Sequence, residues 1–438
     1  MAAKSFEDIV NIAKRRGFVF NSSEIYGGLG SAYDYGPLGV LLKNNIRDLW
    51  WKEMVQKRDD IVGLDAAILM SPKVWEASGH VENFTDPLVE CKKCHERFRA
   101  DDLPVTKCSK GGQHEFTQPK TFNLLMKTYL GPVEDSNAQV FLRGETCQGI
   151  YVNFKNILQS SRVKVPFGIA QIGKAFRNEI TPGNFIFRMR EFEQMEMQFF
   201  VKEADASKFF EIWKEARMAW RKSLGINPDK LRFKDHGPDE LAHYAKQAVD
   251  IEYEFPIGWK ELEGIHNRGD WDLSRHQKFS GKDLSYFDEE TKERFIPWII
   301  ETSAGLDRSF LAVLADAYEE IGESDESGRE KGEIVLHLDP KVAPYKAAIF
   351  PLVKKEELTS VAKKVFEDLK KDYMVFYDET GSIGRRYRRQ DEIGTPYCIT
   401  IDFDSLEDNS VTIRDRDSLK QERIKIDKIN QFVDSKLA

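Results

Sequence analysis

The residues best equipped for chemistry crowd into one stretch, AFRNEITPGNFIFRMREFEQMEMQFF. There Arg177, Arg188 and Arg190 stand within a few positions of Glu179, Glu191, Glu193 and Glu196. Read with a strand's period of two, Arg177 and Glu179 share one face, and Arg188, Arg190, Phe192, Gln194 and Glu196 form a second polar row. The bland alternative is a ladder of cross-strand ion pairs beside a core phenylalanine. The chemical one is a nucleotide site. At about 3.3 Å per residue, Arg188 and Phe192 lie about 13 Å apart, roughly the span from a base to the end of a triphosphate. A planar ring to stack, arginine forks for phosphate and a carboxylate for an exocyclic amine would bind ATP without a phosphate loop. No G-x-x-x-x-G-K-[ST] string is present, which agrees with such a site.

A second set of candidates lies in CKKCHERFRADDLPVTKCSKGGQHEF. Cys91, Cys94 and Cys108 offer three thiolates, with His114, His95 or no residue as the fourth ligand of a structural zinc ion. The segment is too polar to pack unaided, which a metal would remedy. A third candidate, IGRRYRRQDEIG, concentrates Arg385, Arg386, Arg388 and Arg389 around Tyr387. It reads either as a solvated helix face or as a surface for phosphates and unpaired bases.

These groups need a large scaffold, and 438 residues with 41% apolar and 32% charged composition supply one. A net charge of −8 argues against a protein that coats nucleic acid non-specifically. Five cysteines point to a reducing compartment, hence the cytoplasm, and no apolar run is long enough to span a membrane. The N-terminus mixes acids and bases and does not read as a signal peptide. Around Pro37, the spacing of Leu38, Leu41, Leu42, Ile46, Leu49, Trp50 and Met54 predicts an amphipathic helix. RFIPWIIETSA predicts a buried strand running into a helix marked by Leu306, Phe310, Val313, Leu314 and Ala317. GESDESGREKG reads as a linker, and a strand, a helix and three further strands are predicted beyond it.

FRNE with its following Arg-x-x-x-Phe resembles motif 2 of the class II aminoacyl-tRNA synthetases, SAGLDR resembles motif 3, and the Pro37 helix resembles motif 1. ASGHVENFTDP, RGETCQGIYVNF, NRGDWDLSRH and RRYRRQDEIGTPYCITID are similar to the dimeric glycyl-tRNA synthetase family within that class, in consistent order along nearly the whole chain. The resemblance implies an α+β fold. An antiparallel-sheet catalytic domain at 1–332 carries a zinc-knuckle-like insertion at 89–120, and an α/β anticodon-binding domain follows at 333–438. It implies a cytoplasmic homodimer that joins glycine to glycine tRNA through an adenylate, using ATP and Mg²⁺, with no membrane partner. Arg177, Arg308 and Glu301 would be catalytic. ATP would meet Arg177, Asn178, Glu179, Phe187, Arg188, Met189, Arg190, Glu191 and Phe192, then Glu261 and Leu262, then Gly305, Leu306, Asp307 and Arg308. Glu261 and Glu301 would hold Mg²⁺.

Glycine would meet Arg99, Glu145, Phe192, Glu193, Gln194, Met195 and Glu196, then Arg268, and then Glu301, Thr302, Ser303, Ala304 and Gly305. Arg385, Arg386, Arg388 and Arg389 would contact tRNA, and Cys91, Cys94, Cys108 and His114 the zinc. The chain departs from the family pattern at Gly144, Cys147, Gly183 and Thr302. Two rival readings are a class II synthetase for another amino acid and a non-catalytic, nucleic-acid-binding relative such as the accessory subunit of mitochondrial DNA polymerase. Retention of the ATP-contacting residues opposes the second.

Overall fold

The computed structural model describes residues 3, 5–100, 103, 107–135, 138–180, 184–237, 241, 245–323 and 330–437. In chain order the elements that matter begin with helices α1 (Phe6–Arg15) and α2 (Pro37–Trp51) and strand β1 (Ile61–Gly63). The insertion supplies β2 (Thr85–Glu90), β3 (Arg97–Arg99) and β4 (Lys120–Asn123). Helix α3 (Cys147–Val152), β5 (Phe167–Phe176), β6 (Glu191–Val201), α4 (Ala206–Ser223), β7 (Leu231–Asp235), β8 (Gln247–Phe255), β9 (Gly258–Gly269), β10 (Trp298–Gly305) and α5 (Leu306–Ala317) complete the first unit. The second contains β11 (Ala347–Pro351), α6 (Glu356–Leu369), β12 (Val375–Tyr377), α7 (Ile383–Asp391), β13 (Tyr397–Ile401), β14 (Ser410–Asp415) and β15 (Gln421–Lys425).

Seven strands form the first sheet in the order β7-β8-β9-β10-β6-β5-β1, antiparallel except for the β5–β1 pair. Its two faces divide by the strand's period of two. On β6, Met195, Met197 and Phe199 are fully buried against the helices. Gln194, Glu196 and Gln198 point the other way, opposite Gly305, Ser303 and Glu301 of β10. Helix α2 starts at Pro37, whose missing N–H costs nothing at a first turn, and buries Leu38, Leu42, Ile46 and Trp50 in the same core.

Ile334–Leu336 pairs with Tyr318–Glu320, so the expected boundary at 332/333 falls between two strands that pair with each other. The second sheet starts at Ala347 and runs β12-β11-β13-β14-β15 with its own core. The sequence order of strand, helix and three strands is present, with α7, β15 and the helices Asp404–Asp408 and Ile429–Leu437 added to it. Most of the 322–332 linker lies outside the described residues.

Candidate active site

A cavity of about 210 Å³ opens on the polar face of the first sheet. The pieces that reach it include Glu145 ahead of α3, side chains of β6 and β10, and four further stretches. Arg177 and Glu179 follow the end of β5, and Arg188 and Met189 precede β6. Glu261 and Arg268 lie on β9, and Asp307 and Arg308 stand in the first turn of α5. The row from Arg188 to Glu196 is therefore not one strand. A 3₁₀ turn at Phe185–Phe187 precedes β6, which starts only at Glu191, and the 13 Å strand estimate fails for that reason.

One end of the cavity is cationic and aromatic. The Arg177 guanidinium lies 5.1 Å from the ring of Phe84 and 5.3 Å from that of Phe192, and its Nε donates to the Gly144 carbonyl at 3.0 Å. Arg308 lies 4.4 Å over Phe187, and its Nη1 meets Glu261 Oε2 at 3.0 Å. Glu179 is buried, with Arg188 Nε 3.9 Å from Oε2, and Oε2 has no hydrogen-bond donor among the described residues. A buried acceptor left open in a cavity invites a donor from a ligand.

The other end is acidic. Glu196 accepts hydrogen bonds from Ser303 Oγ and Thr146 Oγ1, both at 2.6 Å, and from Gln194 Nε2 at 3.0 Å. Burial, with Glu301 and Glu145 nearby, pushes its pKa up to about 8. Burial would raise Glu301 too, but Arg268 and the His266 hydrogen bond outweigh it and hold that carboxyl at about 2. Glu145 also resists burial, because His80 and Arg268 hold it well below the usual carboxylate range. Arg268 Nη1 reaches both Glu301 oxygens, at 3.2 and 3.0 Å, and its other nitrogens grip Asp272. Glu301, Asp272 and the part-buried Glu145 thus share Arg268, while Glu196 has only hydroxyl and amide donors. An ammonium group would balance these carboxyls.

The cavity brings together Arg177, Glu179, Phe187, Arg188, Met189, Phe192, Glu261, Gly305, Asp307 and Arg308 of the expected nucleotide set. From the expected amino-acid set it includes Glu145, Phe192, Gln194, Glu196, Arg268, Glu301, Ser303 and Gly305. Other expected residues are placed elsewhere. Leu262, Met195, Ala304 and Leu306 are buried in the helical-side core, and Thr302 is fully buried on that same side of β10. Glu193 also faces the helices, held by Lys43 at 3.1 Å and Arg47 at 3.5 Å. Glu191 is exposed and pairs with Lys174 at 2.8 Å, and Arg190 donates to the Gly30 and Glu179 carbonyls. Arg99 sits on β3 and pairs with Asp86 at 3.1 Å. Asn178 is half-buried, with its backbone N–H on the Leu124 carbonyl.

Glu301 also differs from expectation as a metal ligand. Arg268, His266 and Gln198 occupy its oxygens, whereas Glu261 stands exposed at the cavity mouth. Gly144 suits its place, since a Cβ there would come within 2.9 Å of the Phe84 ring. Gly183 lies outside the described residues.

Sequence reasoning missed Ile186, Gly264 and His266, which also line the cavity. Counting back by twos from Arg268 along β9 gives His266 and Gly264, so the signal was present. The His266 imidazole lies over Gly264, where a Cβ would meet the ring at 2.5 Å.

Away from the cavity, one ligand atom from each of Cys91, Cys94, Cys108 and His114 lies within 4.8 Å of the others. Cys91 Sγ is 3.9 Å from Cys108 Sγ, and Cys94 Sγ is 3.7 Å from His114 Nδ1. Ligands about 2.3 Å from a tetrahedral zinc stand roughly 3.8 Å apart, so the donor set fits that ion. His95 turns instead to Glu90.

On α7, Arg385, Arg388 and Arg389 are exposed, with Arg388 paired to Glu330 and Glu333 and Arg389 to Asp378. Arg386 is only 2% exposed, and its guanidinium donates to the carbonyls of Pro351, Asp378 and Leu352. It is a clamp inside the second unit. That corrects its assignment to tRNA. Tyr387 is likewise engaged, through its hydroxyl and Thr400.

Residues 132–318 match the family model described as tRNA synthetase class II core domain (G, H, P, S and T), and residues 346–436 match the anticodon binding domain. The solved prolyl-tRNA synthetase from Cryptosporidium parvum, complexed with halofuginone and AMPPNP, shares the fold. Its TM-score is 0.66 at 16% identity, over 98% of this chain and 77% of that one. A glycine–tRNA ligase of Treponema denticola is 57% identical over 96% of this chain and 94% of its own length. One from Borreliella burgdorferi is 56% identical over 98% and 97%, and one from Thermobifida fusca is 54% identical over the whole of both chains. At that identity over that length, the chain belongs to the glycine–tRNA ligase family of class II aminoacyl-tRNA synthetases.

Proposed function

We propose that the cavity performs both steps by which this enzyme charges tRNA with glycine. First, an oxygen of glycine's carboxylate attacks the α-phosphorus of ATP. The bond to the bridging oxygen breaks, and pyrophosphate leaves with the electron pair. Then a ribose hydroxyl at the 3′ end of tRNA attacks the carbonyl carbon, AMP departs and the hydroxyl proton is released. The carboxylate is already ionised, so the first step needs positioning and neutralisation of charge rather than a general base.

The observation that carries this reading is the cavity's polarity: buried acids at one end, arginines and aromatic rings at the other. The ammonium of glycine would sit among Glu145, Glu196 and Glu301, with Ser303 beside it. On this reading the same groups would reject a larger side chain sterically. Adenine would lie at Phe192 with its amine on the open Glu179 oxygen. Arg177 would span the α-phosphate and the attacking carboxylate, and Arg188 and Arg308 would take the outer phosphates. Glu261 and the nucleotide's own phosphates would hold Mg²⁺, which when bound neutralises phosphate charge.

Three further assignments belong to this reading. Cys91, Cys94, Cys108 and His114 hold a structural zinc ion. Arg385, Arg388 and Arg389 meet tRNA phosphates, because exposed ion pairs are weak enough to be exchanged for them. The chain works in the cytoplasm as a homodimer. Ile25, Tyr26 and Leu29, 89%, 86% and 61% exposed just before α2, are apolar surface that a second copy would cover. No helix among the described residues is long and apolar enough to cross a membrane.

The test is ATP–pyrophosphate exchange across a panel of amino acids. Glycine should support exchange, with alanine, serine, threonine and proline far behind. Equal exchange with any of these would overturn the assignment.

A further inference from the structure

Behind the cavity wall lies a buried charge cluster that the reaction does not use directly. Lys43, on α2, is 8% exposed. Its Nζ stands 3.1 Å from Glu193 Oε2, 3.1 Å from Asp307 Oδ1 and 4.2 Å from the centre of the Tyr35 ring. Asp307 Oδ1 also accepts from the Tyr35 hydroxyl, and Asp307 Oδ2 accepts the Glu193 backbone N–H at 2.7 Å. Arg47, one helical turn on, reaches Glu193 Oε1 at 3.5 Å. Two cations therefore face two carboxylates, and the charges balance. Burial alone would lower the Lys43 pKa, but Asp307 and Glu193 raise it, so the side chain remains an ammonium.

The placement of the two acids gives the cluster its meaning. Glu193 lies between Phe192 and Gln194, whose side chains enter the cavity from β6. Asp307 directly precedes Arg308, which enters from α5. These two pieces of chain already meet where Gln194 pairs with Gly305 and Asp307 accepts the Glu193 N–H, and on the proposed reading the nucleotide fits between the side chains they carry. One ammonium on a third element holds both.

We propose that Lys43 is a positioning residue for ATP: it fixes the spacing between the Phe192 strand and the Arg308 helix. This rests on the assignment of the nucleotide to that end of the cavity. The acidic end shares β6 and β10 through Glu196 and Glu301, but Thr146 and Arg268 brace those carboxyls there, not Lys43. It should not respond to Lys43. The wall spacing is therefore specific to the nucleotide.

The experiment is steady-state exchange with the full-length chain, varying ATP and glycine separately, on Lys43→Met, Lys43→Arg and the double variant Lys43→Met/Glu193→Gln. Misplacing a reacting group by about 1 Å can cost on the order of 10²-fold in rate. Lys43→Met should raise the KM for ATP at least about tenfold and lower kcat on that scale, with the KM for glycine little changed. Lys43→Arg, which keeps a cation there, should recover most of the ATP affinity. The double variant returns the cluster to charge balance, with Arg47 and Asp307 left as its one cation and one carboxylate. It should therefore restore thermal stability towards wild type without restoring the KM for ATP.

If the double variant recovers both stability and ATP affinity, the cluster supports only the fold and the proposal is overturned. If the KM values for glycine and ATP rise together, the proposal is overturned as well. Loss of glycine-dependent exchange in the wild-type chain would instead defeat the underlying assignment of function, and it reads separately from either outcome.

Discussion

Arg177 and Glu196 line opposite ends of one cavity. On the proposed reading Arg177 offers positive charge where charge develops, and removing one such pre-aimed donor typically costs about 10²–10³ in rate. Arg177→Ala should lose at least that much exchange activity while keeping its thermal melting point, since among the described residues the guanidinium makes one hydrogen bond, to the Gly144 carbonyl, and two ring contacts. Exchange within a few-fold of wild type would remove Arg177 from the reaction. Glu196 works through its proton. With its pKa raised to about 8, it is protonated in the empty pocket at neutral pH, whereas an arriving ammonium favours the ionised form. Glycine binding at pH 7 should therefore release about one proton, and affinity should rise as pH climbs from 6 towards 8. Calorimetry in buffers of different ionisation enthalpy checks this, and Glu196→Gln should abolish the release. That Arg177 and Glu179 line the same cavity was legible in the sequence because both lie in one short string. The raised pKa was not, because it depends on Glu145 and Glu301, which are distant in the chain and meet only in the fold.

Elements decide which side chains of a string can act together. Period-two counting separated Glu196 from Met195 correctly. Carried upstream, it failed, because a 3₁₀ turn resets the register before Glu191. The same limit explains α7. Four arginines in nine residues read as one basic surface, but only Arg385, Arg388 and Arg389, at i, i+3 and i+4, share the outer face of the helix, and Arg386 faces inward onto three carbonyls. The cysteine cluster was more legible. Cys91 and Cys94 are only three residues apart, and the fold of the insertion selects His114 over His95. Protein purified without chelator should carry about one zinc per chain, and Cys91→Ser should lose it and melt at a lower temperature. Elemental analysis without zinc would remove the site.

Across the whole molecule, the two sheets divide the labour. Every residue assigned to ATP and glycine lies in the first unit, and α7, with its exposed arginines, lies in the second. The sequence showed the two units through the change of pattern after the linker. It could not show that Ile334–Leu336 returns to pair with the first unit, because that pairing joins separate segments. A truncation after Pro344 therefore respects the fold better than one at the linker. It should leave glycine activation within a few-fold of the full chain while transfer to tRNA falls by about 10²-fold or more, since phosphate contacts supply much of RNA affinity. A parallel fall in both activities would mean that the second unit supports the first unit's fold.

The central claim is that one cavity joins glycine to the α-phosphate of ATP. A single-turnover reaction tests it most directly, with enzyme in excess over ATP labelled at the α-phosphate, plus Mg²⁺ and glycine and no tRNA. The account predicts glycyl-adenylate and pyrophosphate in equal amounts, with the label moving to AMP and glycine to tRNA once tRNA is added. Labelled AMP or ADP without an adenylate, or an adenylate formed equally well with alanine, would contradict it.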